Sequence, residues 1–342
     1  MIQTTPFNPL KLGAYLISKI PTRVLGAAVK PVVNQKGDHL DPAVALSLSI
    51  LNKTNHDFIT MSLEEGRKNI DYEGQLADFV SRRGIDIQDE NVAGIPIRRY
   101  RYQGSHKGTI VFIHGGGWVL GSIMSHDSTC AYLAQQTGAE VISLGYPLAP
   151  EHQFPSAVKT IDAFLDHAIE VDDIILMGDS AGGNLTLTVT LDRIMNQKKL
   201  PLGLVPLVPV IDLAEMSTAS YQEFKEGYFL TANQMHWYKN HYVAPDDDVK
   251  NPLISPKYAD DTLLKQLPQT HIFSAGFDVL RDEGMQFGER LKALGSNYNF
   301  TLLEDTVHPF VNSVGLWPSA TKGMNQVCQT INRMLESKNN LL

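Results

Sequence analysis

The chain has 342 residues, 43% hydrophobic and 19% charged, so it carries ample apolar material for a buried core and no signature of disorder. A formal net charge of −8 argues against a nucleic-acid-binding surface as its main business. No stretch reaches the roughly 18 apolar residues of a membrane-spanning helix, and Cys130 and Cys328 make no disulfide framework, so a reducing, cytoplasmic setting is expected.

Charge is unevenly spread: residues 1–37 hold Lys11, Lys19, Arg23, Lys30 and Lys36 and no acid. Their apolar stretches are broken by Lys11, Lys19 and Arg23, so they do not read as a signal peptide. Residues 1–95 read mostly as helix, around 41–51 and 62–68, with Pro6, Pro9, Pro21 and Pro31 interrupting the earliest part. From Ile95 the pattern alternates. Strands are predicted at 97–102, 109–114, 140–145, 173–178, 204–210, 270–275 and 299–304. Helices are predicted at 126–137, 156–169, 181–196, 232–241, 282–294 and 319–337. This alternation predicts an α/β fold, a mostly parallel sheet covered on both faces, with its ligand site beyond the carboxyl ends of the strands. Pro206 and Pro209 should shorten or bulge the strand they interrupt, because proline cannot donate to the ladder. The aromatic stretch 211–255 has little strand signal and is expected to insert between sheet elements and help wall a pocket.

Two glycine-framed loops carry the chemistry. Val111-Phe112-Ile113 runs into His114-Gly115-Gly116-Gly117-Trp118, an apolar strand ending where no Cβ covers the backbone N–H groups. Neither phosphate-loop pattern, G-x-x-x-x-G-K-[ST] or G-x-G-x-x-G, follows it. Ile174–Met177 runs into Gly178-Asp179-Ser180-Ala181-Gly182, a match to G-x-S-x-G, the turn that lifts a serine Oγ above a strand end. Such a pair suits acyl transfer, with Ser180 as nucleophile and an oxyanion held by the N–H groups of Gly115, Gly116 and Ala181. His114 is expected to orient its loop, and Asp179 to anchor the elbow.

Behind an elbow of this kind, the acid and then the base follow the serine in chain order. The histidines after Ser180 are His236, His241, His271 and His308. Only His308 sits in a loop after a predicted strand without belonging to the aromatic insertion. Asp278 follows the strand 270–275, whereas Asp282 and Glu283 open a helix, where acids commonly serve the dipole. The expected triad is therefore Ser180, Asp278 and His308.

With these motifs placed, the chain resembles the hormone-sensitive-lipase-like carboxylesterases, the bacterial family IV of α/β-hydrolases. The matches are His114-Gly115-Gly116-Gly117, Gly178 to Asn184, Asp278 to Gly284 and His308-Pro309-Phe310; weaker ones are Tyr146 to His152, Asn251-Pro252 and Ser255-Pro256. The resemblance implies an α/β-hydrolase fold with an eight-stranded sheet and no cofactor or metal. It also implies a helical cap from residues 1–95 and 211–255 over a core of 96–210 and 256–342. The implied reaction is hydrolysis of short- to medium-chain acyl esters, and a homodimer is compatible with it. A lipase acting at lipid surfaces is the alternative. A non-catalytic homologue, like the gibberellin receptors that lack the histidine, fits less well because His308 is present. Trp118, Asp179, Tyr228, Phe229, Trp237 and Tyr238 are pocket candidates, with aromatic packing as the competing role of the aromatic ones. Three positions depart from the family. Pro147 replaces a usual arginine, which would cost an ion pair with Glu151. Val279 replaces a proline. Pro309 replaces a glycine and should push His308 towards extended backbone.

Overall fold

The computed structural model describes residues 9–52, 58–168 and 170–339. The predicted helix end at Ile169 lies outside the described residues, as do 1–8, 53–57 and 340–342 of the expected cap and core segments.

Eight strands form one sheet: β1 (Ile85–Val92), β2 (Ile95–Tyr102), β3 (Thr109–Ile113), β4 (Glu140–Leu144), β5 (Ile174–Asp179), β6 (Gly203–Leu207), β7 (Gln269–Phe277) and β8 (Tyr298–Val307). Their order is β1-β2-β4-β3-β5-β6-β7-β8, parallel from β4 to β8, with β2 antiparallel to both its neighbours. The helices are α1 (Pro9–Ser18), α2 (Thr22–Ala28), α3 (Pro42–Leu51), α4 (Leu63–Leu76), α5 (Asp127–Thr137), α6 (Ser156–Ala168), α7 (Ala181–Met195), α8 (Ala219–Glu223), α9 (Ala232–Tyr242), α10 (Asp261–Leu264), α11 (Arg281–Ala293) and α12 (Pro318–Asn339). Helix α5 packs on α12 and α6 on α7, flanking a sheet whose inner strands are buried along almost their whole length.

Local chemistry sets the helix starts. Asp41 caps α3 by accepting the Ala43 N–H at 2.8 Å, and Ser62 with Glu65 closes a capping box on α4. Strand β6 ends at Leu207, and its Pro206 interrupts the pairing with β7 between Leu204 and Leu207, as expected of a strand proline.

Residues 85–92 fall in the segment read as helical, yet they form edge strand β1. Its sequence Ile-Asp-Ile-Gln-Asp-Glu-Asn-Val is mostly exposed, so apolar periodicity is faint. Cross-strand ion pairs stand in for it: Arg98 meets Asp89 at 2.6 Å and Arg99 meets Glu90 at 2.9 Å. The insertion contributes α8 and α9 and, among the described residues, no strand.

Candidate active site

Four strand ends converge on one region: the glycine loop follows β3, Ser180 follows β5, Asp278 follows β7 and His308 follows β8. Ser180 takes φ 56° and ψ −117°, a conformation that costs on the order of 1–3 kcal/mol outside glycine. Its backbone is held on both sides, by the N–H bond to Leu207 O at 2.9 Å and by Val210 N–H donating to Ser180 O at 3.3 Å. The neighbouring glycine is obligatory: a Cβ on Gly182 would collide with the Ile113 carbonyl of β3. Asn184, one turn into α7, ties the elbow to later loops by donating to Val210 O and Ile254 O, both at 2.9 Å.

Asp278 is 1% exposed, and its Oδ2 lies 2.7 Å from His308 Nδ1. A bulge at Ala275–Phe277 of β7 sets Phe277 opposite Val307, so the residues after each strand meet. The expected effect of Pro309 is not found. His308 opens a 3-10 turn, His308–Asn312, and extended backbone falls one residue earlier, at Val307 (ψ 171°). Asp282 and Glu283 serve elsewhere: Asp282 accepts from Ser220 N–H and pairs with Arg281, while Glu283 accepts from Ile211 N–H. Burial, reinforced by Asp212 and Asp278, holds the Glu283 carboxyl well above its usual range. His236 and His241 belong to α9, and His271 lies within β7, stacked on Phe273 at 4.5 Å.

The glycine loop corrects the expected donor set. Gly115 N–H donates to Asp179 Oδ1 at 2.9 Å, so it is not free for an oxyanion. Among the described residues, the N–H groups of Gly116, Gly117 and Ala181 meet no acceptor. Gly116 and Gly117 have φ of 111° and 61°, which turns the chain so that successive N–H groups stay uncovered. Ala181 heads α7, where first-turn donors have no helical partner. His114 does orient the loop. Its Nδ1 donates to Gly115 O at 2.8 Å, its ring stacks on Tyr146 at 4.3 Å, and Tyr146 OH donates to His114 O at 2.9 Å. Burial, with His126 nearby, lowers its pKa to about 4, so the ring is neutral at pH 7.

Asp179 anchors the elbow to the glycine loop and to His126, whose Nε2 is 3.1 Å from its Oδ1. Burial alone would raise the Asp179 pKa; His126 and the fields of His308 and His114 outweigh it and hold the carboxyl below its usual range. Asp179 thus finds its hydrogen-bond partners inside the protein. Trp118 is 1% exposed and stacks on Tyr242 at 4.3 Å. Tyr228 and Phe229 are half-buried, Tyr228 against Phe224 and Phe277, Phe229 against Trp317. Of the pocket candidates, Tyr238 of α9 stands beside the glycine loop, where a Cβ on Gly117 would collide with it; Phe58 lies 5.4 Å from the Tyr238 ring and 5.7 Å from that of Trp237. Both expected cap segments therefore meet above Gly117.

The ion pair that Pro147 was expected to cost is supplied from elsewhere. Arg67 of α4 meets both Glu151 oxygens, at 2.7 and 2.9 Å, and donates to Val119 O at 2.9 Å and Ala149 O at 3.0 Å. Local sequence could not reveal this partner, because Arg67 lies 84 residues before Glu151.

Comparison with known proteins agrees with this fold. The model of a family described by the alpha/beta hydrolase fold matches residues 110–312. An arylesterase of Saccharolobus solfataricus is 34% identical over 80% of this chain and 93% of its own. An ethyl acetate hydrolase of Pseudomonas putida is 28% identical over 75% of this chain and 84% of its own. The crystal structure of a thermostable esterase from Pseudomonas putida ECU1011 superposes with a TM-score of 0.81 at 26% identity, covering 86% of this chain and 98% of that one. The chain belongs to the α/β-hydrolase family, in its hormone-sensitive-lipase-like group.

Proposed function

We propose that this protein is a serine carboxylesterase for short- to medium-chain acyl esters, with Ser180, His308 and Asp278 as its triad. The observation that carries the reading is the 2.7 Å pair of His308 Nδ1 and buried Asp278, at a strand end near a serine in a strained elbow. His308 Nε2 takes the Ser180 proton as Oγ attacks the ester carbonyl. Asp278 fixes the imidazole tautomer and stabilises the imidazolium without taking the proton. The tetrahedral oxyanion is held by Gly116, Gly117 and Ala181, the donors that have no other acceptor. The alcohol leaves with the proton from His308, and water, activated by the same histidine, then releases the acid from the acyl-enzyme. No step calls for a metal or cofactor. Small-ester hydrolysis draws support from the relatives named arylesterase and ethyl acetate hydrolase.

The test is Ser180→Ala with a serine-directed phosphonate. We expect loss of p-nitrophenyl butyrate turnover and labelling of the wild-type chain at Ser180 alone. Normal turnover by Ser180→Ala rejects the assignment. One observation favours the lipase alternative: Leu12, Tyr15, Leu16 and Val24 are exposed in the basic N-terminal segment. Activation on emulsified long-chain triglyceride would support it, and activity confined to soluble short esters would exclude it.

A further inference from the structure

A buried histidine that this mechanism leaves idle stands between the loops it uses. His126 is 2% exposed and occupies the N-cap of α5, yet its side chain makes no capping bond to that helix. Its polar contacts go elsewhere. Nε2 lies 3.1 Å from Asp179 Oδ1, 3.3 Å from Asp179 Oδ2 and 3.1 Å from the Asn312 amide, and Nδ1 lies 2.9 Å from Ser125 Oγ. Asp179 directly precedes Ser180 and holds the Gly115 N–H at 2.9 Å. Asn312 ends the 3-10 turn that His308 opens. One turn further along α5, Thr129 Oγ1 lies 2.9 Å from both Val311 O and Asn312 Oδ1 of that same turn.

We infer that His126 is a positioning residue that registers three loops against one another: the glycine loop, the serine elbow and the turn bearing His308. The inference rests on the triad reading above. Its physical basis is burial. An ionised carboxylate only accepts, so Nε2–H must donate to Asp179. The Asn312 amide beside that same N–H must then present its oxygen to it and its NH2 to Thr129 Oγ1. At this depth the charge-assisted bond to Asp179 is short and directional. Without it, Asp179 keeps a single neutral donor, Gly115 N–H, for a buried charge. The carboxylate would then draw in water or a proton and release the glycine loop. Because Gly116 and Gly117 continue directly from Gly115, a displacement there moves two of the three proposed oxyanion donors together. The same loss frees Asn312, and with it the end of the turn that carries the base. Serine, donors and base would each keep their identity and lose their mutual geometry.

The experiment compares His126→Phe, His126→Gln and Asn312→Ala in the full chain, each assayed well below its own Tm. For His126→Phe we expect kcat on p-nitrophenyl butyrate to fall about 100-fold, the effect of a displacement near 1 Å. KM should stay within about threefold, because substrate binding by the cap is untouched. Phosphonate labelling of Ser180 should slow in parallel. Glutamine can present an amide N–H to Asp179, so His126→Gln should recover most of the loss. The effects of His126→Gln and Asn312→Ala should be less than additive.

A His126→Phe protein with wild-type kcat and only a lowered Tm overturns the inference, as does a His126→Gln protein as slow as the phenylalanine variant. If His126→Phe fails to fold, the glutamine and Asn312 variants decide, additive effects counting against coupling. A Ser180→Ala control that stays active overturns the triad reading itself. A dead Ser180→Ala beside a fully active His126→Phe overturns this inference alone.

Discussion

At the residue scale, the site is built from side chains whose options have been removed. Asp278 is enclosed, bonded to His308 at 2.7 Å, and accepts the Leu280 N–H at 3.1 Å, so it can hold the histidine in one tautomer only. Asp278→Asn keeps the shape and loses that control. We expect kcat on p-nitrophenyl butyrate to fall on the order of 10⁴-fold with little change in KM, read from steady-state kinetics. Gly117 is closed in from the other side by Tyr238. Gly117→Ala should displace the ring or the loop and cost roughly 10²–10³ in kcat, the usual loss for one oxyanion donor. Unchanged kcat in that variant would remove Gly117 from the donor set. Ser180, Asp278 and His308 are legible in the sequence because each lies just past an apolar run, where chain order and strand ends restrict the choice. Gly115 is not distinguishable there from its neighbours, because adjacent N–H groups look alike in sequence. Only the fold shows that one of them already serves Asp179. His126 carries no signal at all beyond a histidine opening a predicted helix.

At the scale of elements, specific side-chain bonds fasten α4 to the loops of the sheet. Arg67 is the clearest, since one guanidinium fastens α4 to the glycine-loop turn through Val119 O and to the loop after β4 through Ala149 O and Glu151. Removing it strands two carbonyls that otherwise receive charged donors. Arg67→Ala should lower stability by about 1–3 kcal/mol, measured by urea unfolding. A loss near zero would mean that solvent replaces these bonds freely. Helices α3 and α4 can be anticipated because Asp41 and the Ser62–Glu65 box announce their starts. Strand β1 cannot, because an exposed edge strand bound through arginines lacks the apolar alternation that marks buried strands.

At the scale of the whole molecule, burial of ionisable groups ties stability to pH. Burial, with Arg333 adding to it, lowers the His271 pKa from its ordinary 6.5 to about 4. The unfolded chain therefore binds more protons than the folded one between these values. His271's contribution is complete above pH 6.5 and is lost as pH falls towards about 4, with a slope of roughly 1.4 kcal/mol for each pH unit. Glu283, raised by burial, acts in the opposite sense: its contribution is present below its ordinary 4.5 and is lost as pH rises through its elevated folded value. A comparison of wild type with His271→Gln isolates the histidine. The stability difference between them, from urea unfolding, should shrink from pH 7 to pH 4.5, and a constant difference would contradict the lowered pKa.

Sequence by itself determined the reaction class and the architecture, because both depend on short-range chemistry. Apolar runs of strand length, the glycines of two tight turns and the chain order of serine, acid and base are all written locally. Tertiary structure decided which N–H groups remain free, which arginine replaces the one absent at Pro147, and which histidine holds the loops in register. Those depend on residues that folding brings together from 53 to 186 positions apart, as with Asp179 and Asn312 around His126. Burial then makes such contacts consequential, since a polar group withdrawn from water must find its partner within the protein.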